Sequence, residues 1–200
     1  MTEKPLYDFE YDASVAEFAV TKRAYLEAHR EASYEYIASS ALILDTSTAS
    51  EPRILLLQRA ASDTNPNKWE PPGGAVDDED LGILHAVARE LWEEAGLRTI
   101  RIEGPVGEPH FFTRSNGGKV CRINFAVHAT TDGERASTVR LDPREHQRYV
   151  WATESEVRAG RAGPTELDFV QEEVKNTVLL TFMHLPERED NKAVKRLRRI

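Results

Sequence analysis

Residues 69–97, WEPPGGAVDDEDLGILHAVARELWEEAGL, combine a glycine turn, a helix and a tight group of carboxylates in one stretch. At 100° per residue, Leu84, Val87, Ala88, Leu91 and Ala95 fall on one side of a helix, while Glu90, Glu93 and Glu94 fall together on another. The first set is expected to bury and the second to face out. Glu94 lies four residues and Glu93 three residues beyond Glu90, so like charges crowd one patch and cost about a few tenths of a kcal/mol per pair. A divalent cation removes that cost, and three carboxylates on a rigid element suit Mg²⁺ or Mn²⁺, which keep waters and accept phosphate oxygens as further ligands. Arg89 stands beside Glu90 with a planar fork able to hold a carboxylate in place. Pro71 and Pro72 impose an extended approach, Gly73 and Gly74 allow a tight turn, and Gly96 occupies the position of a helix C-cap.

From Gly74 onward these residues resemble the Nudix box: Gly, five residues, Glu, seven residues, then Arg-Glu-apolar-x-Glu-Glu-x-Gly-apolar. Gly74 matches the first Gly, and Arg89, Glu90, Leu91, Glu93, Glu94, Gly96 and Leu97 match the second half without a gap. The middle departs from the pattern. Asp80 stands at the box Glu position, and eight residues rather than seven separate it from Arg89. A one-residue insertion before the helix accounts for this, with Asp80 either a shorter substitute or an N-cap. An ExxEE run alone is most often a solvated helix face. In register with Arg89, the double glycine and Gly96, it forms a set that no fold requirement asks for together.

The resemblance implies a fold, an activity and a set of roles. The fold would be an α/β/α sandwich around a central mixed sheet. The activity would be metal-dependent hydrolysis of a phosphoanhydride bond in a nucleoside diphosphate linked to another moiety, or in a related compound. Glu90, Glu93 and Glu94, with the carbonyl of Gly73, would hold Mg²⁺ or Mn²⁺. Arg89 would orient Glu90, and Glu94 and a loop residue, Glu145, compete as general base. Arg59, at a strand end, resembles the basic residue that many family members place near substrate phosphates. A non-catalytic ligand-binding or regulatory module on the same scaffold is the alternative from another class. A diphosphate isomerase would need a catalytic Cys, and Cys121 sits among apolar strand neighbours.

Strands interleaved with two or three helices point independently to an α/β class. Two hundred residues suffice for one domain with terminal additions. The expected division is an N-terminal extension with a helix over 1–35, the catalytic domain over 36–185 and a basic tail over 186–200. A net charge of −8 argues against a general nucleic-acid or anionic-membrane surface. The single Cys121 excludes an internal disulfide and a Cys-rich zinc site and fits a reducing compartment. The acidic, polar start and the lack of a long apolar run lead to the expectation of a soluble, cytoplasmic protein acting on a small-molecule diphosphate.

Outward from the box, residues 14–32 read as one amphipathic helix, either packing on the domain edge or serving as a homodimer contact or pocket lid. Residues 36–45 and 53–58 read as an adjacent strand pair, and Trp69 as core rather than a stacking platform. Residues 119–129 alternate: Cys121, Ile123, Phe125 and Val127 are expected inside, while Arg122 on the opposite face is a candidate phosphate contact. Residues 132–141 read as an exposed loop, His146 as a surface or loop residue, 154–157 as a helix start and 166–185 as a second long helix.

Overall fold

The computed structural model describes residues 7–46, 51–130 and 139–183, and the backbone of 194–196. Along the chain run β1 (Glu10–Asp12), a 3-10 helix (Ala13–Phe18), α1 (Lys22–Ala28), β2 (Tyr36–Leu42), β3 (Leu44–Asp45), β4 (Arg53–Arg59) and β5 (Trp69–Glu70). There follow α2 (Ile83–Ala95), β6 (Arg98–Glu103), β7 (His110–Thr113), β8 (Lys119–Thr130), β9 (His146–Thr153) and α3 (Glu154–Ala159). The chain closes with β10 (Arg161–Ala162), β11 (Thr165–Glu166), α4 (Glu172–Met183) and β12 (Val194–Arg196).

The larger sheet has the order β12-β1-β6-β8-β2, with β7 also on β8. It is mixed: β1 runs parallel to β6 and β2 parallel to β8, whereas β6 and β7 are antiparallel to β8. In the second sheet β4 pairs with β3 and β5, and β9 pairs antiparallel with β4 over its whole length. Along β4 every residue from Ile54 to Leu57 is buried, with Leu55 and Leu57 in one core and Ile54 and Leu56 in the other. That double-sided burial explains the continuous apolar run RILLLQ, which a half-exposed strand would break with polar residues. The first core joins Leu84, Val87 and Leu91 of α2 to Ile37, Ile102 and Phe125 of the larger sheet. The second lies under α3 and α4, through Val157, Val174 and Val178. The architecture is thus the expected mixed α/β layering.

Several local expectations are corrected. Residues 36–45 serve both sheets rather than pairing with 53–58 as one strand: 36–42 join β8, while Ile43 O accepts from Leu55 N and β3 pairs with β4. β2 is buried on both faces, so its alternation carried no directional signal. On β8 the set Cys121, Ile123, Phe125 and Val127 is buried as expected, but Val120 and Asn124 on the other face are buried too.

The helix expected over 14–32 is broken. Asp12 caps the 3-10 turn through Ser14 N, and Thr21 opens α1 by accepting from Ala24 N. The break between them exposes the carbonyl of Val20, which accepts from Ile83 N at 3.0 Å and so substitutes for a side-chain cap on α2. Phe9, Val15, Phe18 and Tyr25 bury in the first core, which ties the extension to the box helix. The helix expected over 166–185 starts only at Glu172, because Trp69 N donates to Asp168 O at 2.9 Å and Val170 N to Trp69 O at 3.1 Å. Those long-range bonds hold 168–170 extended.

Residues 132–138 of the expected loop lie outside the described residues, as do 47–50 of the loop between the first strands. Of the remainder, Val139 is buried and Arg140 N caps α2 through Ala95 O. Most of the tail over 186–200 also lies outside them, and Val194–Arg196 pairs antiparallel with β1. Among the described residues no helix is long and apolar enough to cross a membrane.

Candidate active site

α2 is pinned at both ends, by Val20 O at its start and at its end by Gly96, whose φ of 66° is a left-handed cap. Its last turns therefore present Glu90, Glu93 and Glu94 from a fixed frame. Arg89 organises them. Its Nε and Nη2 donate to the two oxygens of Asp80, each at 2.9 Å, a bidentate fork. Nη1 donates to Glu90 Oε1 at 2.9 Å and Glu93 Oε2 at 3.1 Å, and Nη2 also reaches the Ala75 carbonyl. Asp80 thus acts as the shorter substitute and not as an N-cap, since the Ncap position is Gly82. Asp77 N also donates to Asp80 Oδ2 at 2.8 Å, which fixes the turn that carries Asp80.

The glycine turn lies against this cluster. A Cβ on Gly73, whose φ is +153°, would stand 2.2 Å from Ser39 O, and one on Gly74 would stand 2.5 Å from Glu90 Oε1. At Gly73, where the obstacle is backbone, only glycine permits that approach. In return Gly73 N–H donates to Glu94 Oε2 at 2.7 Å.

The expectation that the carboxylate set faces out is corrected: Glu94 is 4% exposed, and Glu90 is largely buried against Arg89. Only Glu93 reaches solvent, 42% exposed at its side chain. Burial, with help from Glu93 and Glu145 against the pull of Arg89, pushes Glu90 up to about 7. Burial and the neighbouring Glu90 carboxylate raise Glu94 well above the usual range, partly offset by Gly73 N–H.

These shifts set the pH dependence of the metal-free protein. Between pH 4.5 and about 7 the folded state holds a proton on Glu90 that the unfolded chain has released, so stability falls as pH rises through that window. The Glu90 contribution amounts to about 3 kcal/mol. Metal-free protein should therefore melt lower at pH 8 than at pH 5. Mg²⁺ should raise Tm much more at pH 8 than at pH 5, because a bound cation favours the ionised carboxylates. Thermal melts with and without Mg²⁺ at the two pH values check this; a Tm shift independent of pH would contradict it.

Across the pocket, β9 begins with Glu145 just before it. Pairing with β4 jumps from Gln58↔Arg148 to Arg59↔His146, so Gln147 is an extra residue, a bulge held by its side chain on Arg59 O and Asn67 Oδ1. Bulges re-aim side chains, and here His146 turns inward. It is 3% exposed, correcting the surface reading, with Nδ1 3.9 Å from Glu94 Oε1 and Nε2 4.0 Å from Glu70 Oε1. Glu145 stays exposed, yet ligand atoms of Glu94, Glu145 and His146 all lie within 4.8 Å of one another.

Glu70 was not singled out in the sequence. It is 2% exposed and accepts from Arg59 of the smaller sheet and, at 3.3 Å, from Arg122 of the larger. Asp63 also holds Arg59, at 2.6 Å. Both candidate phosphate contacts thus line the pocket already tethered, Arg122 also lying over the Phe112 ring. Arg114, over the Tyr36 ring, is a further guanidinium that sequence reading missed. A charged residue inside WEPP was the available signal for Glu70, since a carboxylate buried among apolar neighbours requires a cationic partner. Trp69 is fully buried and belongs to the core.

The pocket encloses about 620 Å³, within the range of small-molecule sites. Six carboxylates and four guanidinium groups line it, so in its ionised form it repels a phosphate group. The residues fit a divalent cation on two observations: the crowded buried carboxylates, and an imidazole with neither ring nitrogen hydrogen-bonded. Glu90, Glu93, Glu94, Glu145 and His146 are the groups able to hold it.

Comparison with known proteins agrees with this geometry. The NUDIX domain profile matches residues 36–172. The CTP pyrophosphohydrolase of Escherichia coli (strain K12) is 31% identical over 119 residues, covering 60% of this chain and 80% of that protein. The m7GpppN-mRNA hydrolase NUDT17 of Bos taurus is 46% identical over 52 residues, 25% of this chain, and the match spans only 17% of that protein's length. Among solved structures, a MutT protein from Methanosarcina mazei Go1 superposes with a TM-score of 0.51 at 28% identity, over 72% of this chain and 89% of that one. A NUDIX hydrolase from Nitrosomonas europaea shares the fold with a TM-score of 0.54 at 21% identity, over 74% and 88%.

Proposed function

Because this chain belongs to the NUDIX family, whose members hydrolyse pyrophosphate bonds, we propose that it is a metal-dependent pyrophosphohydrolase. Its substrate would be a nucleoside diphosphate linked to another moiety, or a related nucleotide. The observation that carries this reading is the convergence of Glu90, Glu93, Glu94 and Glu145 in one pocket, where burial and mutual crowding disfavour the charges of Glu90 and Glu94 until a cation offsets them. Residues 36–185 form the catalytic unit in this reading, with 1–35 as an extension packed on its core and 186–200 as a basic tail. A CTP pyrophosphohydrolase among the relatives makes nucleoside triphosphates sensible members of a substrate panel.

Mg²⁺ or Mn²⁺, held by Glu90, Glu93, Glu94 and the Gly73 carbonyl, would neutralise the diphosphate oxygens and acidify the attacking water. Arg89 keeps Glu90 and Glu93 aimed while Asp80 keeps Arg89 in plane. Glu94, fixed by Gly73 N–H, and the nearby exposed Glu145 would compete to take the water's proton. Arg59 and Arg122 face the phosphates only as far as Glu70 and Asp63 release them, so substrate binding should exchange one anion for another on these guanidiniums.

The test is phosphate-coupled hydrolysis of nucleoside diphosphate derivatives, dinucleoside polyphosphates and nucleoside triphosphates, with Mg²⁺ or Mn²⁺ and with chelator. Turnover that vanishes with chelator supports the enzyme. Binding without turnover across the whole panel would replace it with the non-catalytic ligand-binding module.

A further inference from the structure

Carboxylates alone do not account for one wall of the pocket. His146 is 3% exposed, and neither Nδ1 nor Nε2 has a hydrogen-bond partner. A buried polar atom without a partner is destabilising, and this residue has two such atoms. The chain nevertheless builds a bulge, fixed by two hydrogen bonds from Gln147, that turns the ring inward.

We propose that His146 is a nitrogen ligand of the cation bound by Glu94 and Glu145, and that it biases the site toward first-row transition ions, Mn²⁺ included, over Mg²⁺. The inference rests on the reading that this pocket takes a divalent cation. Nδ1 faces Glu94 Oε1 at 3.9 Å. Two ligand atoms that each lie about 2.1 Å from one ion are separated by no more than about 4.2 Å, and the 3.9 Å separation falls within that reach. Glu145 is exposed, and its ligand atom lies within 4.8 Å of those of Glu94 and His146. On the far side of the ring, Nε2 looks toward Glu70 at 4.0 Å, the place of the outer carboxylate that usually orients a metal-bound imidazole. Glu70 is itself immobilised by Arg59 and Arg122, which makes it a firm backstop. Mg²⁺ favours oxygen ligands and dehydrates reluctantly, whereas imidazole suits later first-row ions and the softer Mn²⁺ tolerates it better. A nitrogen at this position therefore separates the two.

The deciding experiment is pulsed electron paramagnetic resonance on the full chain loaded with one equivalent of Mn²⁺, beside calorimetric titration with Mn²⁺ and with Mg²⁺. The expected result is nitrogen modulation from a coordinated imidazole that changes when the wild-type chain carries nitrogen-15 histidine and disappears in His146→Gln. In the same variant Mn²⁺ affinity should fall roughly tenfold to a hundredfold, with Mg²⁺ affinity much less affected. The isotope arm needs no variant, so a misfolded His146→Gln does not block the answer. Saturable Mn²⁺ binding without nitrogen coupling overturns the histidine ligand and leaves the hydrolase reading standing. Coupling that survives in a folded His146→Gln overturns it likewise. Absence of any Mn²⁺ or Mg²⁺ binding overturns both.

Discussion

Glu94→Gln is expected to lower turnover of any diphosphate substrate at least roughly a hundredfold, the scale of a lost general base or metal-site carboxylate, and yet to raise the melting temperature of the metal-free protein. The two effects share one cause. Glu94 is buried beside Glu90, and its charge is disfavoured in the absence of a cation. Gln is nearly isosteric and its amide oxygen can still accept from Gly73 N–H, so the loop over Glu90 should hold its place. What disappears is the charge that would hold the cation or take the proton. The loss should fall on kcat at saturating Mg²⁺, with substrate KM changed far less. Measuring kcat, KM and metal-free Tm for both proteins settles it. Full turnover would remove Glu94 from the mechanism, and a lowered Tm would show that its charge is compensated in the folded protein by something other than metal.

Arg89→Ala should be the most destabilising single change in the box. One guanidinium holds Asp80 through a bidentate fork, bonds Glu90 and Glu93 and reaches the Ala75 carbonyl. Asp80 and Arg89 are 7% and 11% exposed at their side chains, so the pair is largely removed from solvent. Breaking such a pair by removing one member costs about 3–5 kcal/mol, which corresponds to a Tm lower by roughly 10 °C in a chain of this length. Arg89→Lys restores the charge without the planar fork and should recover less than half of that loss. Denaturant and thermal unfolding of the two variants give the comparison. If Arg89→Ala melts within a degree or two of the parent, the network contributes orientation only.

How far these conclusions were legible in the sequence differs by residue. The order of glycines, Arg89, Glu90, Glu93, Glu94 and Gly96 declared the box on its own, because each role depends on spacing along one turn or one helix. Local geometry of that kind needs no partner from elsewhere in the chain. The α/β class was legible for the same reason, from alternation in β8 and the apolar run in β4. Asp80 was half legible: its register with Gly74 pointed to it, but only its fork with Arg89 chose between substitute and N-cap.

Other features depended on contacts between residues far apart in the chain. The N-terminal helix breaks because Val20 is needed at the start of α2, and α4 starts late because Asp168 and Val170 bond to Trp69. Helical periodicity reports which faces are apolar and is silent about which backbone groups a distant segment will claim. The reading of the carboxylates as outward-facing failed on the same ground. Gly73, Glu145 and His146, which neighbour the buried Glu94 carboxylate, all come from outside its helix. Glu70 and His146 look ordinary in sequence, a lone acid before two prolines and a lone His in a polar stretch. Tertiary structure alone gave the first two arginines and turned the second into the pocket through a bulge, because ion pairing and cross-strand register are properties of space and not of spacing.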